Sequence, residues 1–250
     1  MKTYALKQNL KQDYSIYTPE DLQVWKMLFE RQMILLEELA SSEYLKSIKT
    51  VKFCAEKIPD FKEVNAILEK ETGWSLEVVE GIINEEDFFV LLSQKKFPAT
   101  TWLRKLNELD YLPEPDMFHD VFAHVPLLTN KKFVDFFKTI GDLGVENKTN
   151  PEILKMLGRL YWFTVEFGLI NEDDKLKIYG AGILSSFGES KFSVSKTPQH
   201  LNFDADEIMH THFENDKIQD KYFVIDSFDQ LYDSIELIKA IVKSEKCLNL

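Results

Sequence analysis

The sequence predicts an α+β fold, mostly α-helical with a small β-sheet, formed as a single domain over residues 1–250. Three observations predict it. Apolar residues recur at three- and four-residue spacing along several stretches, the period of a helix with one buried face. Those stretches open on a capping residue followed by proline or by acids. Strand-like segments are few and short: Leu76 to Val78, Ile178-Tyr179 and Tyr222 to Ile225. No internal repeat, low-complexity tract or Gly/Ser-rich linker divides the chain, and its nine Gly and eight Pro mark local turns rather than a domain boundary.

Thr18-Pro19-Glu20-Asp21 opens the first strong helix, with a cap, a proline at the first helical position and early acids; Leu22, Trp25, Phe29, Met33 and Leu36 form its expected apolar stripe. A second helix opens at Asp60 with Phe61, Val64 and Leu68 on one face and Gly73 just beyond its end. Leu76, Val78 and Gly81 read as a short strand and turn. Asn84-Glu85-Glu86-Asp87 starts a helix carrying Phe88, Phe89, Leu91 and Leu92. The segment holding His119 and His124 reads as a helix limited by Pro126. Asn150-Pro151-Glu152 opens a long helix through Leu154, Leu157, Tyr161 and Glu166, and Ser227 caps a last one through Leu231, Ile235 and Ile238.

Composition narrows the function. With 44% hydrophobic and 13% aromatic residues, 19 of them Phe, the chain can bury a sizeable core and line a cavity with rings. A formal net charge of −12 argues against nucleic acid or an anionic membrane surface as partner. The two cysteines, Cys54 and Cys247, lie far apart and form neither a metal-ligand spacing nor a disulfide framework, which fits a reducing compartment. The N-terminus has no signal-peptide core, and no run of about 18 apolar residues follows. The expectation is a cytoplasmic protein with no membrane partner.

The chemistry concentrates in two stretches. Pro113 to Pro126 contains His119 and His124; Tyr161 to Gly168 contains Glu166. Two histidines and one carboxylate set among aromatic and aliphatic residues are the ligands of a 2-His-1-carboxylate iron site with positions left open for oxygen and cosubstrate. The spacing is unusual. At ~100° per residue, side chains five apart on an ideal α-helix diverge by roughly 140°, so the pair needs a distorted helix; a π-type turn would align i with i+5. By itself the pair also fits two part-buried histidines bonded to backbone. Glu166 is the sole charge between Leu160 and Ile170, amid Tyr161, Trp162, Phe163 and Phe167. Burying it is costly unless a cation or good donors meet it; the alternative is a Glu on a narrow solvent-facing edge.

Other constellations are weaker. His210, His212 and Glu214 would share one face of a strand and form a surface zinc site, without an apolar surround. His119-Asp120 departs from the His-Glu-x-x-His pattern of metalloproteases. There is no Gly-x-Ser-x-Gly elbow, P-loop or dinucleotide fingerprint, and Gly180-Ala181-Gly182 is too brief for a phosphate loop.

Three blocks, in order, resemble a known family. Pro-Glu-Pro-Asp-x-x-His-Asp-x-x-x-His-Val-Pro-Leu-Leu at 113–128, Tyr-Trp-Phe-Thr-Val-Glu-Phe-Gly-Leu at 161–169 and Tyr-Gly-Ala-Gly-Ile-Leu-Ser-Ser-Phe-Gly-Glu at 179–189 resemble the catalytic domain of the pterin-dependent aromatic amino acid hydroxylases, most closely the single-domain bacterial phenylalanine 4-hydroxylases. Weaker similarity runs from about Tyr17 to about residue 240. The resemblance implies Fe(II) held by His119, His124 and Glu166, with a tetrahydropterin and O2 as cosubstrates and L-phenylalanine converted to L-tyrosine. It places Val79 to Ile83, including Gly81 and Ile83, with Asp87-Phe88, in the pterin loop, Phe88 stacking on the pterin. Asp120 and Tyr161 flank the iron and its waters. Arg104 matches the arginine that clamps the substrate carboxylate, with Asp116 orienting it. Pro115, Trp162 and Phe167 look like walls of the aromatic pocket, and Gly182 and Ser185 like the loop meeting the amino acid end.

Some positions depart from the family pattern. Ala123 stands where the family usually has Gly, Leu112 where animal enzymes have Thr, and Pro98 where they have a pterin-side His. The N-terminal regulatory domain and C-terminal tetramerisation helix of animal enzymes do not fit in 250 residues, so the expectation is a monomer without a regulatory phenylalanine site. Hydroxylation of tryptophan or of another ring position is the near alternative. A non-catalytic or zinc metal-binding protein is the alternative of another class.

Overall fold

The capping residues read from the sequence are built as caps. The computed structural model describes residues 3–7, 9–110, 112–215 and 217–248. Thr18 accepts from Asp21 N while Asp21 accepts from Thr18 N, a capping box that starts α1 (Pro19–Leu39). The stripe on α1 is turned from the expected one. Val24, Trp25, Leu28, Gln32 and Leu36 are buried, whereas Leu22 is 43% exposed. Trp25 sets the roll: its Nε1 donates to Cys54 O at 2.9 Å and its ring meets Phe118 edge-on at 5.7 Å.

Ser41 caps α2 (Ser42–Thr50), a helix additional to those expected from the sequence. Asp60 caps α3 (Phe61–Glu71) as expected. β1 (Ser75–Val78) leads through a loop to α4 (Glu85–Ser93), capped by Asn84, and pairs in parallel with β2 (Lys96–Ala99). A second additional helix, α5 (Lys131–Glu146), buries Phe133, Phe136, Phe137, Ile140 and Leu143, which carry the helical period. It lies along α4. α6 (Pro151–Tyr161) opens on the Asn150 cap with Pro151 at its first turn.

The second half builds a four-stranded sheet. β3 (Leu169–Glu172) and β4 (Lys175–Ile178) form a hairpin; α7 (Ala181–Leu184), α8 (Phe187–Ser193), β5 (Gln199–Asn202), α9 (Ala205–His210) and β6 (Lys221–Ile225) follow. The strand order is β4-β3-β6-β5, with β6 parallel to both β3 and β5. Ser227 caps a helix as expected, but the helix is broken into α10 (Phe228–Asp233) and α11 (Ile235–Leu248). Ser234 Oγ donates to Leu231 O at the break. The expected strand through His210 and His212 is corrected. Asp204 caps α9, His210 is its last residue, and His210 Nδ1 lies 2.8 Å from Asp206 O, one helical turn back. No helix among the described residues is long and apolar enough to cross a membrane. Cys54 and Cys247 are both free and exposed.

Glu189, on α8, is buried beside the sheet; its Oε1 accepts from Tyr222 OH at 2.7 Å and from Gln219 N at 3.2 Å. Burial pushes its carboxyl above the ordinary 4.5, against the lowering from those two donors. A raised folded value means that the group stabilises the fold when protonated and loses that contribution as pH rises from the unfolded value through the folded one. Glu189→Gln keeps an acceptor for Tyr222 and cannot ionise. Its melting temperature relative to wild type is expected to rise in the variant's favour between about pH 4.5 and pH 7. Thermal melts at the two ends of that window check this; a constant gap would mean that Glu189 does not titrate within it.

Candidate metal centre

The five-residue spacing is met by a π-helix. Residues Phe118–His124 take this conformation, and a second π segment, Trp162–Glu166, continues α6. The wider turn aligns side chains five apart, which an α-helix would splay. His119 and His124 thereby face each other with Nε2 atoms 3.2 Å apart. Glu166 Oε1 lies 3.0 Å from His124 Nε2, and Oε2 lies 3.6 Å from His119 Nε2. The same spacing in the second π segment brings Tyr161 OH to Glu166 Oε1 at 2.7 Å. One ligand atom from each of His119, His124 and Glu166 falls within 4.8 Å of the others.

Protonation suits a cation. Ser185 Oγ donates to Ala181 O at 2.9 Å, so in its 2.9 Å contact with His119 Nδ1 the hydroxyl accepts. His119 then carries its proton on Nδ1 and turns a lone pair inward at Nε2. Burial lowers His119 to about 4, so the ring is neutral near pH 7. Burial by itself would raise Glu166, but the two imidazoles and the bonds from His124 and Tyr161 outweigh it and hold the carboxylate down at about 2. Burial also keeps Tyr161 protonated as a donor. Two imidazoles and one anionic carboxylate form a donor set that fits Fe(II) or Zn(II).

The Ser185 bond gives a direct test. Serine here touches a candidate metal ligand, a contact beyond the amino acid end of the pocket that the resemblance implies for it. Ser185→Ala is expected to weaken metal binding by about 10- to 100-fold, the usual cost of losing a bond that orients a ligating imidazole. Titration of the metal-free protein with Fe(II) or Co(II) measures it, and unchanged affinity would remove Ser185 from that role.

Around the triad, several expected residues converge. Asp120 Oδ2 accepts from both N and Oγ1 of Thr100 at 2.8 Å, and burial pushes its carboxyl up to about 7 despite those bonds. Arg104 donates to Asp116 from Nε at 2.9 Å, Nη2 at 2.8 Å and its backbone N at 3.0 Å. Asp116 is fully buried and also accepts from His119 N at 3.2 Å, so the arginine and one candidate ligand are held by one carboxylate. The Nε edge of the guanidinium is spent on Asp116, while Nη1 makes only a long 3.5 Å bond to Leu109 O, which a ligand carboxylate could replace. Pro115 stands half-buried beside Asp116. Trp162 and Phe167 pack with ring centroids 4.5 Å apart. Gly182 admits that packing, since a methyl group there would come within 2.8 Å of Phe167 Cζ.

Phe88 meets Tyr161 edge-on at 5.2 Å. Gly81 and Ile83 lie in the loop between β1 and α4, tied to the N-terminal segment rather than to the triad. Ala123 is buried within an intact π turn. Four contributors were not expected: Thr100 behind Asp120, Phe97 with its ring 4.7 Å from His124, Phe137 stacked 5.7 Å from Tyr161, and Gln219, whose Oε1 accepts from Trp162 Nε1. Their apolar or ordinary polar identities carry no signal in the sequence; only the fold brings them here.

A mostly helical fold with two histidines and a carboxylate converging in an aromatic surround defines a candidate mononuclear metal site, the ligand set that non-haem iron oxygenases use. Residues 3–246 match the model of the biopterin-dependent aromatic amino acid hydroxylases. The chain belongs to that family. It is 45% identical to the phenylalanine-4-hydroxylase of Chromobacterium violaceum, over 90% of this chain and 76% of the relative. It is 42% identical to the phenylalanine-4-hydroxylase of Pseudomonas aeruginosa, over 84% of this chain and 80% of that protein. The crystal structure of the Chromobacterium violaceum enzyme with bound oxidised Fe(III) superposes with a TM-score of 0.90 at 44% identity, covering 94% of this chain and 86% of that one.

Proposed function

We propose that this chain is an iron(II)- and tetrahydropterin-dependent monooxygenase that converts L-phenylalanine to L-tyrosine with O2. The observation that carries the reading is the convergence of His119, His124 and Glu166 through two π turns in a family defined by pterin-dependent ring hydroxylation. The phenylalanine-4-hydroxylase relatives support phenylalanine as substrate.

In this reading His119, His124 and Glu166 hold the iron. When bound, iron with O2 and the pterin's two electrons supplies the oxidant that places one oxygen atom on the substrate ring. The chain's own residues do the rest. Arg104 offers its outer guanidinium edge to the amino acid carboxylate while Asp116 fixes the inner edge. Pro115, Trp162, Phe167 and Gly182 shape the ring pocket. Phe88, with the Gly81 to Ile83 loop, supplies the apolar face for the pterin. Tyr161 and Asp120 hold protons and water beside the metal, and the packed aromatics exclude bulk solvent.

The family match over residues 3–246 supports one catalytic domain spanning residues 1–250. A monomer is the expected assembly, and sedimentation as a tetramer would refute it. The decisive experiment loads Fe(II) anaerobically, adds O2, a tetrahydropterin and L-phenylalanine, and identifies the product by chromatography and mass. Tyrosine that needs all four components establishes the reaction. Pterin oxidation without tyrosine would redirect the search to other rings, and zinc retention with no oxidation would overturn the assignment.

A further inference from the structure

A small apolar cluster lies apart from the main core. Val79, Ile83 and Leu91 form it, and two part-buried side chains pack on it: Leu6 from the N-terminal segment and Phe88 from α4. The N-terminal segment is also tied to the loop after β1 by three other kinds of contact. Tyr4 N donates to Ile82 O at 2.8 Å, and Tyr4 forms a parallel bridge with Ile83. Lys7 Nζ pairs with Glu80 at 2.8 Å. The Tyr4 ring closes over Gly81, where a methyl group would lie 2.7 Å from Cε2, so the ring fits only against glycine.

These contacts bear on the site. A surface loop with glycine at its centre is easily opened unless neighbouring chain holds it. On its other side, Trp102 Nε1 donates to Glu80 O at 3.2 Å, two residues before Arg104. Phe88, which shares the small cluster with Leu6, stands edge-on to Tyr161, whose hydroxyl bonds to Glu166. A contiguous packed path thus runs from residue 6 to a candidate metal ligand.

We propose that residues 4–7 are a positioning strap for the pterin face: Tyr4 and Leu6 set the shape of the 79–83 loop and the seat of Phe88, and through them the affinity for the pterin. This rests on the assignment of the pterin to Phe88 and that loop. Neither Tyr4 nor Leu6 touches a reacting atom in this arrangement; both act through the loop.

The test uses the full chain and 7,8-dihydrobiopterin, an oxidised pterin that does not turn over. Its binding is measured by calorimetry for wild type, Tyr4→Ala, Tyr4→Phe and Phe88→Ala, with amide exchange of residues 79–83 followed in parallel. Tyr4→Ala is expected to weaken pterin binding by about five- to tenfold, a size usual for residues that act through neighbours. It should speed exchange in the loop and leave iron content and the KM for L-phenylalanine as in wild type. Tyr4→Phe keeps the ring and should bind like wild type. Wild-type pterin affinity in Tyr4→Ala overturns the strap. If Phe88→Ala alone then weakens binding, only the strap falls; if neither does, the pterin assignment falls with it. Equal loss of pterin, iron and substrate binding in Tyr4→Ala would mean general destabilisation and would also overturn it.

Discussion

Replacing His124 with alanine is expected to abolish iron binding and hydroxylation while leaving the chain folded. His124 is 4% exposed, its Nε2 is 3.0 Å from Glu166 and 3.2 Å from His119, and its ring packs against Phe97. Losing a bond behind a ligand costs up to about 100-fold in affinity, so losing the ligand itself should exceed that. The buried large-to-small change costs about 2–5 kcal/mol, within the 5–15 kcal/mol of an ordinary domain. Metal analysis should therefore find background iron in a protein that still melts cooperatively at a lower temperature. Stoichiometric iron with full turnover would defeat the ligand assignment.

Changing Arg104 to lysine is expected to weaken amino acid binding selectively. Arg104 makes three bonds to fully buried Asp116, and its outer Nη1 is held only by a long 3.5 Å bond to Leu109 O. Lysine keeps one charge beside Asp116, which alanine would leave uncompensated in the interior at about 3–5 kcal/mol. It cannot hold Asp116 and a second carboxylate with a planar fork. Charged hydrogen bonds contribute about 1.5–3 kcal/mol, so the KM for L-phenylalanine should rise roughly 10- to 150-fold. Iron content and the KM for the pterin should hold. An unchanged KM for the amino acid would move the carboxylate clamp to another residue.

Helix starts were legible where local chemistry decides them. Thr18-Pro19, Asp60, Asn84, Asn150-Pro151 and Ser227 are all caps, because a side-chain oxygen satisfies an orphan amide two or three residues on, whatever the rest of the fold does. The helices α2 and α5 lie outside the predicted set although Ser41 and Asn130 cap them by the same rule. His210 and His212 show the opposite failure. A two-residue period predicts a strand, yet the Asp204 cap, six residues before His210, starts a helix that ends at His210 and leaves His212 beyond it.

The sequence by itself determined the chemical inventory: which histidines and which carboxylate stand in apolar surroundings, and the five-residue spacing that an α-helix cannot use. It also carried the ordered family blocks from Pro113 to Glu189. Only the tertiary structure decided how each group is held there. It set the π turns that make the spacing productive, the Ser185 bond that fixes the His119 tautomer, and the use of one edge of Arg104 on Asp116. It also brought Tyr4 onto Gly81 across more than seventy residues. Caps and periodicity are short-range interactions, written within a few residues of one another. Tautomers, buried charge states and loop clamps depend on groups distant in the chain, and only packing puts those within 3 Å of each other.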